Sequence, residues 1–132
     1  KNAIVHRAVR LVAETVASVA WLAYEESAEH ETHPLLDLIA RPNPRQDGAA
    51  LLESAVAHLQ VAGNAYLEAV TLDGRPRELY ALRPDRVTVE VDARGWPGRY
   101  LYRVGETVQA VEAERLVHVR AFHPTDDHYG LG

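Results

Sequence analysis

The fold is decided by one stretch of the chain, Arg41-Pro-Asn-Pro-Arg-Gln-Asp-Gly-Ala-Ala-Leu-Leu-Glu-Ser-Ala-Val-Ala-His-Leu-Gln-Val-Ala-Gly-Asn-Ala-Tyr-Leu-Glu-Ala-Val70. It predicts a turn, then a helix, then a strand. Pro42 and Pro44 lack backbone donors and push the residues before them out of the helical region, so no helix passes through the turn. Asp47 is placed to cap the helix, because its carboxylate can accept an N–H of the first turn. Gly63 ends the helix, since a helix C-terminus favours a residue that tolerates positive φ.

Apolar residues recur along the predicted helix at the spacing of one helix face. They are Leu52, Ala55, Val56, Leu59 and Ala62. The strand that follows, 64–72, is rich in strand formers and is closed by Asp73-Gly74, a typical hairpin turn. A helix that leads into a strand across one glycine predicts a helix packed on a sheet.

Two helices and a short strand are predicted before this stretch. The first helix spans 2–19, is capped by Asn2 and carries a stripe of valines at positions 5, 9, 12, 16 and 19. Because β-branched valines are mediocre helix formers, this helix should depend on tertiary packing. A strand over 21–25 and an exposed acidic loop over 26–32 follow. Pro34 then favours the first position of a short helix over 34–40.

Strands dominate the rest of the chain. We predict them over 77–82, 87–91, 99–104, 107–111 and 116–122, with a turn at 83–86 and one helical turn at 113–115. Helices in the first half and strands in the second indicate an α+β fold. The prediction is one α+β domain over residues 1–132, in which N-terminal helices pack on a mainly antiparallel, meandering sheet.

Composition excludes several classes of protein. The chain has 132 residues, a formal net charge of −5 and no cysteine, so disulfides and thiolate metal sites are absent. No apolar run reaches the roughly 18 residues of a membrane span. No basic cluster stands out, which argues against tight binding to the nucleic-acid backbone. A chain without Met that starts at Lys1 is typical of an excerpt of a longer protein.

The cluster closest to an enzyme site lies near the C-terminus. Its candidate metal ligands are His118, His123, Asp126 and His128, with Asp127 beside them. Histidine and aspartate suit zinc or manganese. The ordinary interpretation is a polar loop that leaves a strand, because the tight His-Glu-x-x-His spacing is missing and residues 124–127 have turn chemistry. A small metal-dependent enzyme is therefore kept as the alternative function.

Other candidates for chemistry are weaker. The serines at 18, 27 and 54 lie outside any Gly-x-Ser-x-Gly pattern, and no phosphate-binding glycine loop is present. His30 and His33 lie in an acidic loop that should be solvated. Tyr66, Tyr80, Tyr100 and Tyr102 could stack on bases, but cross-strand packing is their ordinary role. We therefore predict no catalytic residue and no cofactor. The several short predicted strands leave sheet edges whose backbone groups must be covered or paired, which favours a subunit of a larger assembly.

Six short motifs occur in an order that is specific even though each motif alone is not. They are 5–14 (VHRAVRLVAE), 33–36 (HPLL), 41–44 (RPNP), 63–66 (GNAY), 82–86 (LRPDR), and 118–122 (HVRAF) leading to 126–130 (DDHYG). In this order the chain resembles the phage portal protein family, the head-to-tail connectors of tailed phages, in the branch with Hong Kong-type capsids. The resemblance covers nearly the whole chain.

The resemblance implies a structural protein that is not an enzyme. Relatives form a ring of about twelve portal subunits at one capsid vertex, assembled in the bacterial host cytoplasm beside capsid protein and scaffold. Double-stranded DNA passes through the channel without sequence-specific binding, and terminase and head-completion proteins dock on the ring. The N-terminal part of such chains builds the outer wing, so the docking and channel parts would lie outside this segment. No membrane partner is implied. Gene transfer agents and defective prophages use the same kind of portal.

Overall fold

The computed structural model describes residues 2–132. The helices are α1 (Ala3–Ala17), α2 (Pro34–Ala40) and α3 (Gly48–Ala62). The strands are β1 (Ala23–Glu25), β2 (Ala28–His30), β3 (Asn64–Leu72), β4 (Arg75–Leu82), β5 (Val87–Val91), β6 (Pro97–Val104), β7 (Thr107–Glu112) and β8 (Leu116–Arg120). Single 3₁₀ turns precede β5, at Pro84–Arg86, and β8, at Ala113–Arg115. The predicted α+β class is confirmed.

The central stretch folds as its local signals predict. Asp47 caps α3, since its Oδ1 accepts the Ala50 N–H at 2.8 Å. Gly63 ends α3 in the left-handed region at φ 67°. Asp73 and Gly74 both have positive φ, 52° and 72°, which is the backbone of a type I′ hairpin turn between β3 and β4. The most buried apolar residues of α3 are Leu51 and Ala55, so the face that packs inward is rotated slightly from the predicted stripe.

All strand pairing is antiparallel, and the strands form three sheets. Their orders are β1-β2, β4-β3-β8 and β5-β6-β7. The predicted meander is present as two hairpin-connected runs, 64–82 and 87–112. The chain then leaves β7 through the 3₁₀ turn, and β8 pairs with β3, where Tyr66 lies opposite His118. The last strand therefore closes the sheet that the central stretch began.

The core lies between the two three-stranded sheets. It consists of Tyr66, Leu82, Val87, Tyr100, Val111 and Leu116. Tyr66 of β3 and Tyr100 of β6 meet edge to face, with ring centroids 5.9 Å apart and planes at 64°. Aromatic pairs favour this geometry and add about 0.5–1.5 kcal/mol beyond the area that they bury. The strands predicted from alternation thus bury their inward residues against each other.

Two predictions in the N-terminal third are wrong. The stretch 26–32 is not all loop, because β2 pairs with β1 in a hairpin whose polar composition hides the strand. The valine stripe of α1 is mostly exposed, and Val5, Val12, Val16 and Val19 all keep more than two fifths of their surface. Helix α1 packs on α3, and its least exposed residues are Val9, the one half-buried member of the stripe, together with Ala17 and the fully buried Ala13. Small alanines let two helices approach closely, which sequence periodicity alone does not reveal.

Candidate functional site

The cluster proposed from the sequence lies where the last residues of the chain cross the C-terminal end of α3. We call the residues that hold this crossing the clasp: Asn64, His118, Asp126, Tyr129 and Gly130. Two main-chain segments are hydrogen-bonded at this crossing: Ala121 donates its N–H to the Gly63 carbonyl at 2.8 Å. Gly130 lies against Gly63 so closely that a Cβ at Gly130 would be 1.9 Å from the Gly63 carbonyl oxygen.

Asn64 is the centre of the clasp. The residue is 5% exposed. Its amide nitrogen donates to the carbonyls of Ala62 at 2.7 Å and Gly130 at 3.2 Å. Its amide oxygen accepts the Gly130 N–H at 2.8 Å and lies 2.9 Å from His118 Nε2. All four interactions suit one orientation of the amide, so the side chain joins α3, β8 and the last residues of the chain.

His118 is held as a neutral ring. Because the Asn64 oxygen can only accept, His118 Nε2 carries the hydrogen in this contact. The ring stacks on Tyr66 with centroids 4.2 Å apart and meets Tyr100 edge-on at 5.7 Å. Burial, helped by the positive charge of Arg120, lowers the pKa of His118 from 6.5 to about 4.

The stability of the chain should therefore depend on pH through His118. Between pH 6.5 and about 4 the unfolded chain binds a proton at this histidine that the folded chain does not. The free energy of unfolding then falls by about 1–3 kcal/mol as the pH is lowered through that window, and this loss levels off below it. Urea unfolding at several pH values would measure it. Burial also lowers the pKa of His58, so the wild type should be compared with His118→Gln at each pH. Parallel curves for the two proteins would contradict the assignment.

The remaining clasp residues hold the last turn of the chain. The Asp126 carboxylate accepts the N–H groups of His128 at 2.7 Å and Tyr129 at 2.8 Å, and these hydrogen bonds lower its pKa. The Tyr129 hydroxyl accepts the Val89 N–H of β5 at 2.9 Å. Arg120 donates to the Asp127 carbonyl. The end of the chain is thus tied to both three-stranded sheets.

The clasp does not assemble the proposed metal ligands. His118 Nε2 is used by Asn64, Asp126 binds backbone amides, and His123 Nδ1 accepts the Thr125 N–H at 3.2 Å. His128 Nδ1 is buried without a hydrogen-bond partner. Among residues 2–132 no group of three or more His, Asp or Glu side chains is placed to hold a metal ion. The four candidates therefore share a region but not a coordination sphere.

The other candidate histidines, tyrosines and serines also make structural contacts. His30 Nε2 lies 3.3 Å from a Glu25 carboxylate oxygen, and His33 caps α2 by accepting the Leu35 N–H at 3.1 Å. Tyr66 and Tyr100 are buried in the core, so neither ring can stack on a base. The serines at 18 and 54 donate to carbonyls of their own helices.

The surface carries large apolar residues in the N-terminal third. On α1 they include Ile4, Leu11, Val12 and Val16, and after it come Trp21, Leu22 and Tyr24. Large exposed apolar side chains that are close in sequence are candidates for burial against a partner. Within residues 2–132, none of the helices has the length and hydropathy to cross a membrane.

A family model described as "Phage portal protein" matches residues 3–132. The chain belongs to the phage portal protein family. The resemblance seen in the ordered motifs is therefore confirmed.

Two curated relatives align with almost the whole portal chain. An uncharacterized protein of Rickettsia bellii (strain RML369-C) is 31% identical over 141 residues, which cover 99% of the portal chain and 36% of the relative. An uncharacterized protein of Rickettsia felis (strain ATCC VR-1525 / URRWXCal2) is 28% identical over 138 residues, with the same coverage. The portal chain thus spans little more than a third of the length of these relatives.

Solved structures of gene transfer agent (GTA) particles contain chains with the same fold. A chain in the neck of an empty GTA particle, computed with C6 symmetry, is 41% identical with a TM-score of 0.91; the match covers 98% of the portal chain and 36% of that chain. A chain of the virion of a native gene transfer agent (GTA) particle is 41% identical with a TM-score of 0.86, over 98% and 35%. A chain in the neck of a native GTA particle, computed with C12 symmetry, is 40% identical with a TM-score of 0.86, over 99% and 35%.

The sequence contained one signal for the clasp that our interpretation did not use. From the sequence alone, Gly63 indicates only a helix end and Gly130 only part of a motif. Both belong to the ordered motifs, 63–66 and 126–130, and the structure places these two motifs against each other. Sequence reasoning missed Asn64 and Tyr129 as structural residues, because their partners lie 66 and 40 positions away.

Proposed function

We propose that this chain is the wing part of a structural portal subunit, which joins other copies in a closed ring at one vertex of a phage-like particle. The observation that carries the proposal is the 41% identity and TM-score of 0.91 with a chain in the neck of a GTA particle. Sixfold and twelvefold symmetry of such necks supports a ring of identical subunits. In this proposal residues 1–132 form one α+β domain on the outside of the ring.

The remaining partners follow from the ring. Double-stranded DNA would pass through its channel during packaging and ejection, driven by a terminase that docks on the ring with the head-completion proteins. Those contacts, like the capsid protein and scaffold, would involve parts of the subunit beyond this segment. The net charge of −5 suits a wall that does not hold DNA. Assembly would take place in the cytoplasm of the bacterial host.

The proposed subunit has no catalytic or metal-binding role. Two of the residues that could have served an enzyme, His118 and Asp126, are engaged in the clasp, where they help to fix the path of the chain. The resemblance to GTA particles favours a gene transfer agent or a prophage remnant over a free phage as the source of the ring.

The test is the mass and symmetry of the full-length protein, measured by light scattering and negative-stain imaging. A closed ring with a central hole, of about twelve copies, is the expected result. The proposal would be contradicted if the full-length protein stayed monomeric under assembly conditions and its gene lay away from capsid and terminase genes.

A further inference from the structure

The hairpin β1–β2 projects from the rest of the chain. We call residues 21–32 the arm. Its two strands pair with each other, and neither packs extensively against any other helix or strand in the part of the chain that the structure describes. Side chains hold the hairpin across its strands: Tyr24 donates its hydroxyl to Glu29 at 3.0 Å, and His30 lies 3.3 Å from Glu25. An isolated two-stranded hairpin is marginally stable in water, so the arm needs a partner surface.

The arm exposes the kind of side chains that anchor protein interfaces. Trp21 is 55% exposed, Leu22 60% and Tyr24 57%. Tryptophan and tyrosine are enriched among the residues that contribute most to binding, because they bury much apolar area and retain a polar group. Trp21 and Tyr24, with the exposed Leu22 between them, therefore favour a docking segment over a solvated loop.

The charge of the arm selects the partner. It carries four carboxylates in seven positions, at Glu25, Glu26, Glu29 and Glu31. Two of these are used inside the hairpin, by His30 and by Tyr24. Glu26 and Glu31 form no salt bridge within residues 2–132 and are exposed. The partner surface should therefore be basic.

The same chain offers a basic surface elsewhere. We call Arg41, Arg45, Arg75 and Arg77 the arginine cluster. Arg41 and Arg77 line one cleft between α2 and β4, together with Asp37. Arg75 begins β4, and Arg45 lies in the turn that is bound to β4 through the hydrogen bond from Leu79 N–H to the Pro42 carbonyl.

The four guanidinium groups of the arginine cluster are available to a partner. All four residues are exposed, and none of them forms a salt bridge to a carboxylate in residues 2–132. Asp37 is the acidic group that lines the cleft with them, and it leaves the cluster with an excess of positive charge. Guanidinium groups bind carboxylates in a planar, two-pronged geometry, which suits the free glutamates of the arm.

We propose that the arm of one portal subunit packs against the arginine cluster of the next subunit in the ring. This inference rests on the proposed ring. A ring is built from one contact between two different patches, repeated around the axis until it closes. The arm and the arginine cluster are such a pair: they differ, they carry opposite charge, and each copy contributes one of each. Electrostatic complementarity of this kind sets the register of an interface and suppresses wrong pairings.

Charge reversal in the full-length protein tests the contact. The arm variant is Glu26→Arg with Glu31→Arg, which spares the carboxylates that hold the hairpin. The cluster variant is Arg75→Glu with Arg77→Glu. The control is Glu106→Arg in the β6–β7 turn with Glu114→Arg in the 3₁₀ turn after β7, which makes the same charge change at two exposed carboxylates outside both patches. Light scattering measures the subunit concentration at which half of the protein is in rings, and far-UV circular dichroism confirms that each variant is folded.

Each reversal alone should raise that concentration at least about tenfold, because like charges would face each other across the contact. The control should leave it unchanged. An equal mixture of the two variants should recover ring formation, since the reversed arm of one subunit then meets the reversed cluster of the other. A contact within one subunit would give a different result: a chain with all four substitutions would form rings, but the mixture of the two variants would not. That result would overturn the inference.

Failure of the inference and failure of the ring are distinguishable. Wild-type rings whose formation is insensitive to both reversals would overturn the arm contact and leave the proposed function standing. A wild type that forms no ring would remove the proposed function, and the arm contact with it.

Discussion

Gly130→Ala is expected to destabilise the chain by about 2–4 kcal/mol, since overpacking against fixed backbone is among the costly kinds of substitution. The added Cβ would lie 1.9 Å from the Gly63 carbonyl oxygen and 2.7 Å from the Ala121 nitrogen. Those two atoms are hydrogen-bonded to each other at 2.8 Å, so neither can move without breaking the clasp. Urea unfolding of the 132-residue chain, followed by circular dichroism, would measure the loss.

Gly98→Ala is the matched control for this substitution. A Cβ at Gly98 would have its nearest neighbour, the Asp92 Cβ, at 3.6 Å, which is ordinary contact. Its effect on the free energy of unfolding should stay within about 0.5 kcal/mol. Equal effects of the two substitutions would show that loss of glycine as such, and not the crossing of the two chain segments, is what costs stability.

Tyr66→Ala should cost about 3–5 kcal/mol, the usual range for removing a large aromatic side chain from a core. Tyr66 is 1% exposed and contacts both Tyr100 of the opposite sheet and His118 of the neighbouring strand. Its loss would leave a cavity between the sheets and remove the ring on which His118 stacks. The midpoint of thermal or urea unfolding reports the change.

Tyr24→Ala provides the comparison, because it removes the same side chain from the exposed arm. It should change the free energy of unfolding by about 0.5 kcal/mol or less. If Tyr66→Ala were as mild as Tyr24→Ala, the two sheets would not depend on the aromatic contact between them.

Local signals predicted most of the elements, because their causes are local. Asp47 and Gly63 act through the backbone groups beside them, and the Asp73-Gly74 turn needs only its own two dihedral angles. The alternation of valines with polar residues along 87–91 arises because successive side chains of one strand point to opposite faces of the sheet. Each of these could be predicted from a few adjacent residues.

Pairing and packing partners could not be predicted in the same way. The alternation in 116–120 indicates a strand, but the strand pairs with β3 and not with β7, and that choice depends on the packing of two sheets. The valines of α1 indicate an apolar face, yet nothing local shows that Ala13 is the residue that becomes fully buried and that every valine of the stripe except Val9 stays exposed. The sequence indicated a region of His and Asp residues near the C-terminus, but not the contacts that His118 and Asp126 make there, because one of their partners, Asn64, is distant in sequence.

The clasp also has a mechanical consequence. Tension applied at the C-terminal end enters the domain through Asn64 and Gly63 at the end of α3 and through Tyr129 at β5. These attachments divide the force between β3 of one three-stranded sheet and β5 of the other, so that it does not act on a single strand. A pull on residues 129–132 would therefore be shared by both three-stranded sheets.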